Sequence, residues 1–284
     1  MPAFARPDSL PRTLESLLSQ TYDDFALVIV DDAPDATIAP IVQTYAREYS
    51  RVTYSVNVKR LGMVGNWRKV FEQARASYPA AEYFAWVSDH DVWHARWLET
   101  LVSVLDREPD VVLAYSASLR TTPDDAWLET KGFQTVGMPR ASARIARSAL
   151  HMLAGDMIYG LMRARPLEAA GVFRHVVTPD RQLLLALSLF GELRHVADVL
   201  WYREMAREFD LERQRKVFFP DGTPLYAYLP SHLQHCATLL WDFGIRGRGR
   251  PAFGRIAGAS YAAIQLWFSL ARQLTRLRPA TRRL

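Results

Sequence analysis

Along the first 120 residues, apolar runs and helical stripes alternate. Residues 25–30 (Phe-Ala-Leu-Val-Ile-Val) are continuously apolar, as a parallel strand covered on both faces requires. They end in Asp31-Asp32 and a turn of Pro, Asp and Ala. Ile38, Ile41, Val42 and Tyr45 repeat at helical spacing and predict a helix over 38–49. A strand over 52–56 and a polar loop over 57–62 follow. A helix over 64–76 then carries Trp67, Val70, Phe71 and Ala74 on one side. The run 83–88 (Tyr-Phe-Ala-Trp-Val-Ser) reads as a buried strand opening into Asp89-His90-Asp91. A helix over 96–105 leads to another buried strand at 111–115. Strands alternating with helices predict an α/β fold with a mostly parallel, Rossmann-like sheet and flanking helices.

After residue 120 the pattern loosens. Helices are expected over 148–161, 179–190 and 233–243, with a turn-rich break over 220–230. A Gly/Arg linker over 244–254 leads to a last helix over 255–277, so the chain is read as ending in a helical region. There is no internal repeat.

Composition adds little: 49% hydrophobic and 23% charged residues describe a folded protein and exclude a disordered one. Cys236 is the sole cysteine, which excludes an intrachain disulfide and points to a reducing compartment. No basic segment followed by a long apolar run opens the chain. The expectation is a cytoplasmic protein, at the inner face of a membrane if its last helix meets one.

Charge changes the picture more. From Phe243 to Leu284 there are nine arginines and no acidic residue; taking those nine from +5 leaves the other 242 residues at −4. Residues 256–271 carry no charge and lie between Arg255 and Arg272. Sixteen residues fall short of the roughly 20 that cross a bilayer. Two readings stand: a helix lying on an anionic membrane surface, or one docked on the protein's own core. Nucleic acid is not an expected partner, because the arginines belong to no recognisable module.

Asp89-His90-Asp91 holds the candidate chemistry. Two carboxylates one residue apart, at the carboxyl end of a buried strand, suit a hard divalent cation carrying phosphate oxygens. Open α/β sheets bind ligands outside the carboxyl ends of their strands. An Asp-X-Asp by itself equally marks a turn.

Further residues tip the balance. The stretches Pro2-Ala3-Phe4-Ala5-Arg6-Pro7, Leu14-Glu15-Ser16-Leu17-Leu18-Ser19-Gln20-Thr21-Tyr22, Val28-Ile29-Val30-Asp31-Asp32, Asn57, Gly62, Asn66 and Trp86-Val87-Ser88-Asp89-His90-Asp91 resemble the family 2 glycosyltransferases, inverting enzymes of the GT-A fold. The likeness covers residues 2–118 and, more faintly, 155–204, at Pro179-Asp180-Arg181 and Leu200-Trp201-Tyr202-Arg203. It implies a GT-A domain over 1–204, with a nucleotide-binding half at 1–118 and an acceptor half at 119–204. Residues 205–284 are then a helical extension with a basic tail. Two departures stand out. Ala5 replaces a frequent Asn, and the family's first strand is missing, because Met1 sits where that strand should be ending. Unpaired backbone groups would cost about 1–3 kcal/mol each, so the expectation is a natural start upstream of Met1 or a chain that folds poorly.

The resemblance implies roles. Asp32 accepts from the uracil or ribose, where the plain reading is an Asx-turn or helix cap. Ala3, Phe4 and Arg6 line the same pocket, Phe4 facing the base and Arg6 the phosphate, where the plain reading is a loose terminus. Arg60, Gly62 and Asn66, with Lys59, form a donor loop before a helix or merely a basic turn. Asp89 contacts the ribose or metal, Asp91 coordinates Mn²⁺ or Mg²⁺, and His90 between them points elsewhere. Asp180 is the catalytic base, with Asp156 in reserve; the plain alternative is a first-turn helix residue favoured by the dipole. Trp93, Trp97 and Trp201 stack on sugars or fill the core.

The implied function is metal-dependent, inverting transfer of a sugar from a nucleotide diphosphate, UDP first, to a hydroxyl of a glycan or lipid-linked acceptor of the cell envelope. A nucleotidyltransferase would want a glycine-rich phosphate loop, and the chain has none. A non-catalytic, membrane-peripheral GT-A-like binding protein is the alternative from another class.

Overall fold

The computed structural model describes residues 1–33, 35–121, 127–129, 132–152, 155–203, 211–247 and 249–277. The first layer is a parallel sheet of β1 (Pro2–Ala3), β2 (Leu27–Asp31) and β3 (Val52–Val56), in that order. Between and after these strands lie α1 (Leu10–Leu18), α2 (Ala39–Glu48) and α3 (Gly62–Ser77). All five residues of β2 are buried, as its apolar run requires. Alternate β2 side chains serve opposite layers. Leu27 and Ile29 pack with Leu14 and Leu17 of α1 and Val42 of α2. Val28 and Val30 pack with Val64, Trp67 and Val70 of α3.

Of the first strand, expected to be missing, only the two residues of β1 pair with β2. The Met1 ammonium donates to Val28 O at 2.7 Å, and Val30 N to Met1 O at 3.0 Å. Asp32 N then donates to Ala3 O at 2.9 Å. Ala5 holds φ 47°, left-handed backbone that asparagine tolerates better than alanine. That gives the first departure a physical meaning.

The second sheet is mixed. It holds β4 (Tyr83–Phe84), β5 (Val92–Trp93), β6 (Val111–Thr121), β7 (Trp127–Glu129), β8 (Leu161–Arg163) and β9 (Glu192–Arg203). The order is β4-β8-β6-β9-β5, with β7 on β6; β6 and β9 are parallel and the other pairs antiparallel. Of the strand expected at 83–88, only Tyr83–Phe84 enters a ladder. The ladder of the short β1 is taken by β2. The expected helix over 96–105 is α4 (Trp97–Arg107).

One expected helix is corrected. Over 148–161 the chain instead ends α5 (Ala141–His151), makes a 3-10 turn at Asp156–Tyr159 and enters β8. Two glycines forbid a continuous helix. Gly155 takes φ 105°, and a Cβ on Gly160 would stand 2.6 Å from Ala114 O. Leu153 and Ala154 lie outside the described residues.

Beyond α6 (Ala164–Ala170), the helix expected at 179–190 is α7 (Pro179–Leu187), nearly all buried. The extension contributes α8 (Leu211–Phe218), α9 (Ser231–Leu239), a π turn (Leu240–Ile245) and α10 (Arg250–Leu277), kinked at Gly254. The kink falls at the end of the stretch expected to be a linker. Phe218, Phe219, Leu239, Phe243 and Ala262 share one core with Leu183–Leu187 of α7. Among the described residues no helix is long and apolar enough to cross a membrane. Arg248, Arg278, Arg282 and Arg283 of the basic tail lie outside those residues.

Arg144 of α5 is buried and donates to four carbonyls: Ser188 and Leu189 after α7, and Met138 and Pro139 before α5, at 2.7 to 2.9 Å. Burial lowers its pKa, and these bonds keep it in place. Arg144→Met should lower the unfolding free energy by about 3 kcal/mol, because buried acceptors lose their donors. Urea unfolding checks this, and a loss below about 1 kcal/mol would show that those carbonyls find other partners.

Candidate active site

Where β1, β2 and the 83–88 segment end, their loops enclose a cleft of about 220 Å³. It is lined by Ala3, Phe4, Arg6, Asp32, Arg60, Gly62, Asn66 and Asp89, which brings together every nucleotide-site residue expected from the sequence. Met63, Trp67, Ser88, His90, Tyr159 and Val217 line it too. A wider depression of about 590 Å³ lies on the other side of the 57–61 loop, among Asn57, Lys59, Lys69 and Glu72, away from the carboxylates.

Lining the cleft is not the same as facing it freely. Asp32 Oδ1 accepts from Leu61 N at 2.7 Å and Asn57 Nδ2 at 2.9 Å, while Oδ2 accepts from Gly62 N at 2.9 Å. Asp32 therefore caps the N-terminus of α3, where a carboxylate also suits the dipole. A carboxylate has about four acceptor positions, so these bonds leave capacity for a ligand. Gly62 is required twice over, by φ 72° and by Pro220 Cδ, which a Cβ would meet at 2.8 Å. Asn66 is spent on the frame: it accepts from Asn57 and donates to Val30 O and Ala3 O. The Phe4 ring is covered by Arg60, whose guanidinium carbon lies 4.6 Å from its centroid.

Asp89 Oδ2 accepts from Phe4 N at 2.9 Å, and Arg6 Nε stands 3.8 Å from Oδ1. His90 does not point elsewhere, as expected; it turns back between its neighbours. Its Nδ1 lies 2.8 Å from Asp89 Oδ1 and its Nε2 3.9 Å from Asp91 Oδ1. Asp91 is only 1% exposed, and its Oδ2 accepts from Ser88 Oγ at 2.7 Å. The loop is pinned from outside by α1 and the residues after it. Thr13 Oγ1 donates to Asp91 O, Ser16 Oγ accepts from Trp93 N, and Gln20 bonds His94 O and Leu98 N. The Ser-Leu-Leu-Ser-Gln-Thr stretch thus holds the acidic loop in place.

Tyr159 is the residue the sequence reading missed. Burial pushes its hydroxyl pKa up, Asp91, Asp89 and Asp180 push it further, and Arg203 pulls it down. Its ring packs between Trp67 and Trp201 at the cleft wall. Arg203, at the end of β9, pairs with Asp156 at 2.5 Å, which commits the reserve candidate. The available signals were a glycine after an aromatic at Tyr159-Gly160 and an arginine closing an apolar strand at Arg203. Asp180 sits in the first turn of α7, where the backbone N–H groups of Asp180 and Arg181 favour its charged form. Burial nevertheless raises its pKa, against the pull of Arg181 and Arg203. Trp93, Trp97 and Trp201 are each 2% exposed and fill the core, so none faces a sugar.

Among the described residues no three His, Cys, Asp or Glu side chains form a metal cage. Mg²⁺ commonly takes one or two protein carboxylates and completes its shell on substrate phosphate and water. Asp89 and Asp91 are the two carboxylates available for this, and their Oδ1 atoms flank the His90 ring, 2.8 Å from Nδ1 and 3.9 Å from Nε2.

The turn before α7 is held from the extension. Thr178 has φ 52°; Gln234 Oε1 accepts from Val177 N at 3.0 Å, and His235 Nε2 lies 2.9 Å from Val177 O and 3.3 Å from Thr178 Oγ1.

Comparison with known proteins places the site in context. The family model described as Glycosyl transferase family 2 matches residues 1–164. Protein CgeD of Bacillus subtilis (strain 168) is 23% identical over 116 residues, covering 40% of this chain and 27% of that protein. Among solved structures, S. aureus TarS aligns over 96% of this chain and 52% of its own, at 15% identity and TM-score 0.53. S. aureus TarS 1-349 in complex with UDP-GlcNAc aligns over 97% and 90%, at 14% identity and TM-score 0.53. The mannosyltransferase PcManGT from Pyrobaculum calidifontis, in complex with GDP-Man and Mn²⁺, aligns over 97% and 86%, at 13% identity and TM-score 0.54. At these identities the structures show a shared fold. The chain spans about a quarter of the curated relative and about half of the first TarS chain.

His235 yields a prediction. Burial, with Arg181 and His232 nearby, lowers its pKa from 6.5 to about 4, so the folded protein refuses a proton that the unfolded chain takes. Stability should fall as pH drops from 6.5 towards 4, by about 3 kcal/mol from this group. His235→Gln should remove that part of the slope in urea unfolding across the window. Equal slopes in the two proteins would show that His235 titrates normally.

Proposed function

The chain belongs to glycosyl transferase family 2, and on that premise we propose that it moves a sugar from a nucleotide diphosphate to an acceptor hydroxyl with inversion. The observation that carries this reading is a cleft at the strand ends lined by Asp32, Asp89, Phe4, Arg6 and Arg60, with Asp91 across the His90 ring from Asp89. In this reading the base lies near Phe4 and Arg60, and a base N–H such as that of uracil meets the spare acceptor capacity of Asp32. Arg6 supplies positive charge for the diphosphate. Mn²⁺ or Mg²⁺, held by Asp89 and Asp91 with His90 displaced, would neutralise the charge that gathers on the departing diphosphate. GDP-Man, UDP and UDP-GlcNAc accompany the structural neighbours and support a nucleotide-sugar donor; UDP is the base we put first.

Asp180 takes the proton of the acceptor hydroxyl as that oxygen attacks the anomeric carbon opposite the leaving group. A carboxyl pKa raised by burial makes a stronger base than an ordinary aspartate. Arg181 and Arg203 act on that carboxyl against the effect of burial. The acceptor we propose is a hydroxyl of a cell-envelope polysaccharide or of a lipid-linked sugar.

Two expected outcomes follow. UDP with Mn²⁺ at 100 times its dissociation constant should stabilise the protein by about 2.7 kcal/mol, and Asp91→Ala should abolish that gain in a thermal melt. No response to any nucleotide would point instead to a non-catalytic binding protein, a reading favoured by Arg60 over Phe4 and His90 between the carboxylates. Asp180→Asn should keep nucleotide binding and lose turnover by a factor on the order of 10² to 10⁴. The wild-type rate should rise with pH as Asp180 ionises, with its acid limb above the ordinary aspartate value. Turnover surviving in Asp180→Asn would assign the base elsewhere.

A further inference from the structure

α10 docks on the core through a mixed side: Phe253, Tyr261, Ile264 and Phe268 pack against it, while Gly258, Ala262, Gln265 and Ser269 are buried, and Gln265 Nε2 donates to Ser269 Oγ at 3.0 Å. A Cβ on Gly258 would stand 2.1 Å from Phe243 O, so the small residues set how closely the helix docks. The opposite side is large and apolar. Ile256 is 86% exposed, Trp267 72%, Leu274 66% and Leu270 40%. Spacings of eleven, three and four place these four on one stripe.

The neighbouring hairpin arm adds to the surface. α9 and the π turn run antiparallel to α10, with Gln273 bonded to His232, Cys236 Sγ to Ala262 O, and Gly244 beside Ala259. This arm exposes Trp241 (54%) and Ile245 (43%). Of the two expectations for the last helix, docking on the core is observed, and the helix also keeps an apolar face outward.

We propose that this face lies in the headgroup region of an anionic lipid bilayer, with its apolar stripe inserted and the net positive charge of residues 243–284 drawn to the lipid phosphates. Charge complementarity selects this occupant. Residues 243–284 hold nine arginines and no acidic residue, which would repel a second copy at the same face but suits an anionic surface. Exposed tryptophans fit the interface between lipid and water. This inference is independent of the transfer reaction.

The test is flotation of the full chain with phosphatidylcholine vesicles, with and without phosphatidylglycerol. The expected result is binding to the anionic vesicles, weaker by about tenfold or more on neutral vesicles and in high salt. The double variant Trp267→Ser, Leu274→Ser should lose about tenfold or more in binding while keeping its melting temperature, because both side chains face solvent. Failure to float with anionic vesicles, or undiminished binding by that variant, overturns the proposal. So does a dimer in light scattering that the variant dissolves, since a second copy would then be the occupant.

Discussion

The site depends on carboxylates that close the ends of a parallel sheet. Where strands stop, backbone N–H groups lose their ladder partners and must find others. Asp32 receives Leu61 N and Gly62 N, and Asp89 receives Phe4 N. The two side chains thereby fix the loop before α3 and the segment after β1 around one opening. The groups that would bind a nucleotide are thus the groups that build the walls. Asn66 carries the same role inward, joining Ala3 O and Val30 O to α3.

A second constraint comes from electrostatics. Three carboxylates, of Asp89, Asp91 and Asp180, act on the Tyr159 hydroxyl against Arg203. Burial and this negative charge keep the phenol protonated. Arg203 offsets part of that charge and is itself fixed by Asp156 and by stacking 5.2 Å from the Trp201 ring. Asp91 and Asp180 act on the same phenol although some ninety residues of sequence separate them.

How much of this was legible depended on which physical signal each part left in the sequence. β2, β3 and the helices α2 to α4 were legible because local periodicity and burial agree there. The cleft residues were legible through family resemblance, since spacing alone does not separate a binding Asp32 from a capping one. The 148–161 stretch was misread because its apolar residues mimic a helix, while Gly155 and Gly160 serve a turn and a close backbone approach. His90 was misread because alternation places a flanked residue outward in a strand, and this loop is no strand. Tyr159 left no periodic trace; its importance arises from packing between distant segments. The core roles of Trp93, Trp97 and Trp201 also depend on tertiary contacts that spacing does not encode.

The grip of Gln234 and His235 on the Val177–Thr178 turn reaches across the chain. The residue read as the base inherits its orientation from a helix more than fifty positions downstream, in the part of the chain that lies outside the family match. The turn that opens α7 is therefore not self-supporting: a foreign tail grafted onto residues 1–204 would take away the two side chains that brace Val177 and Thr178.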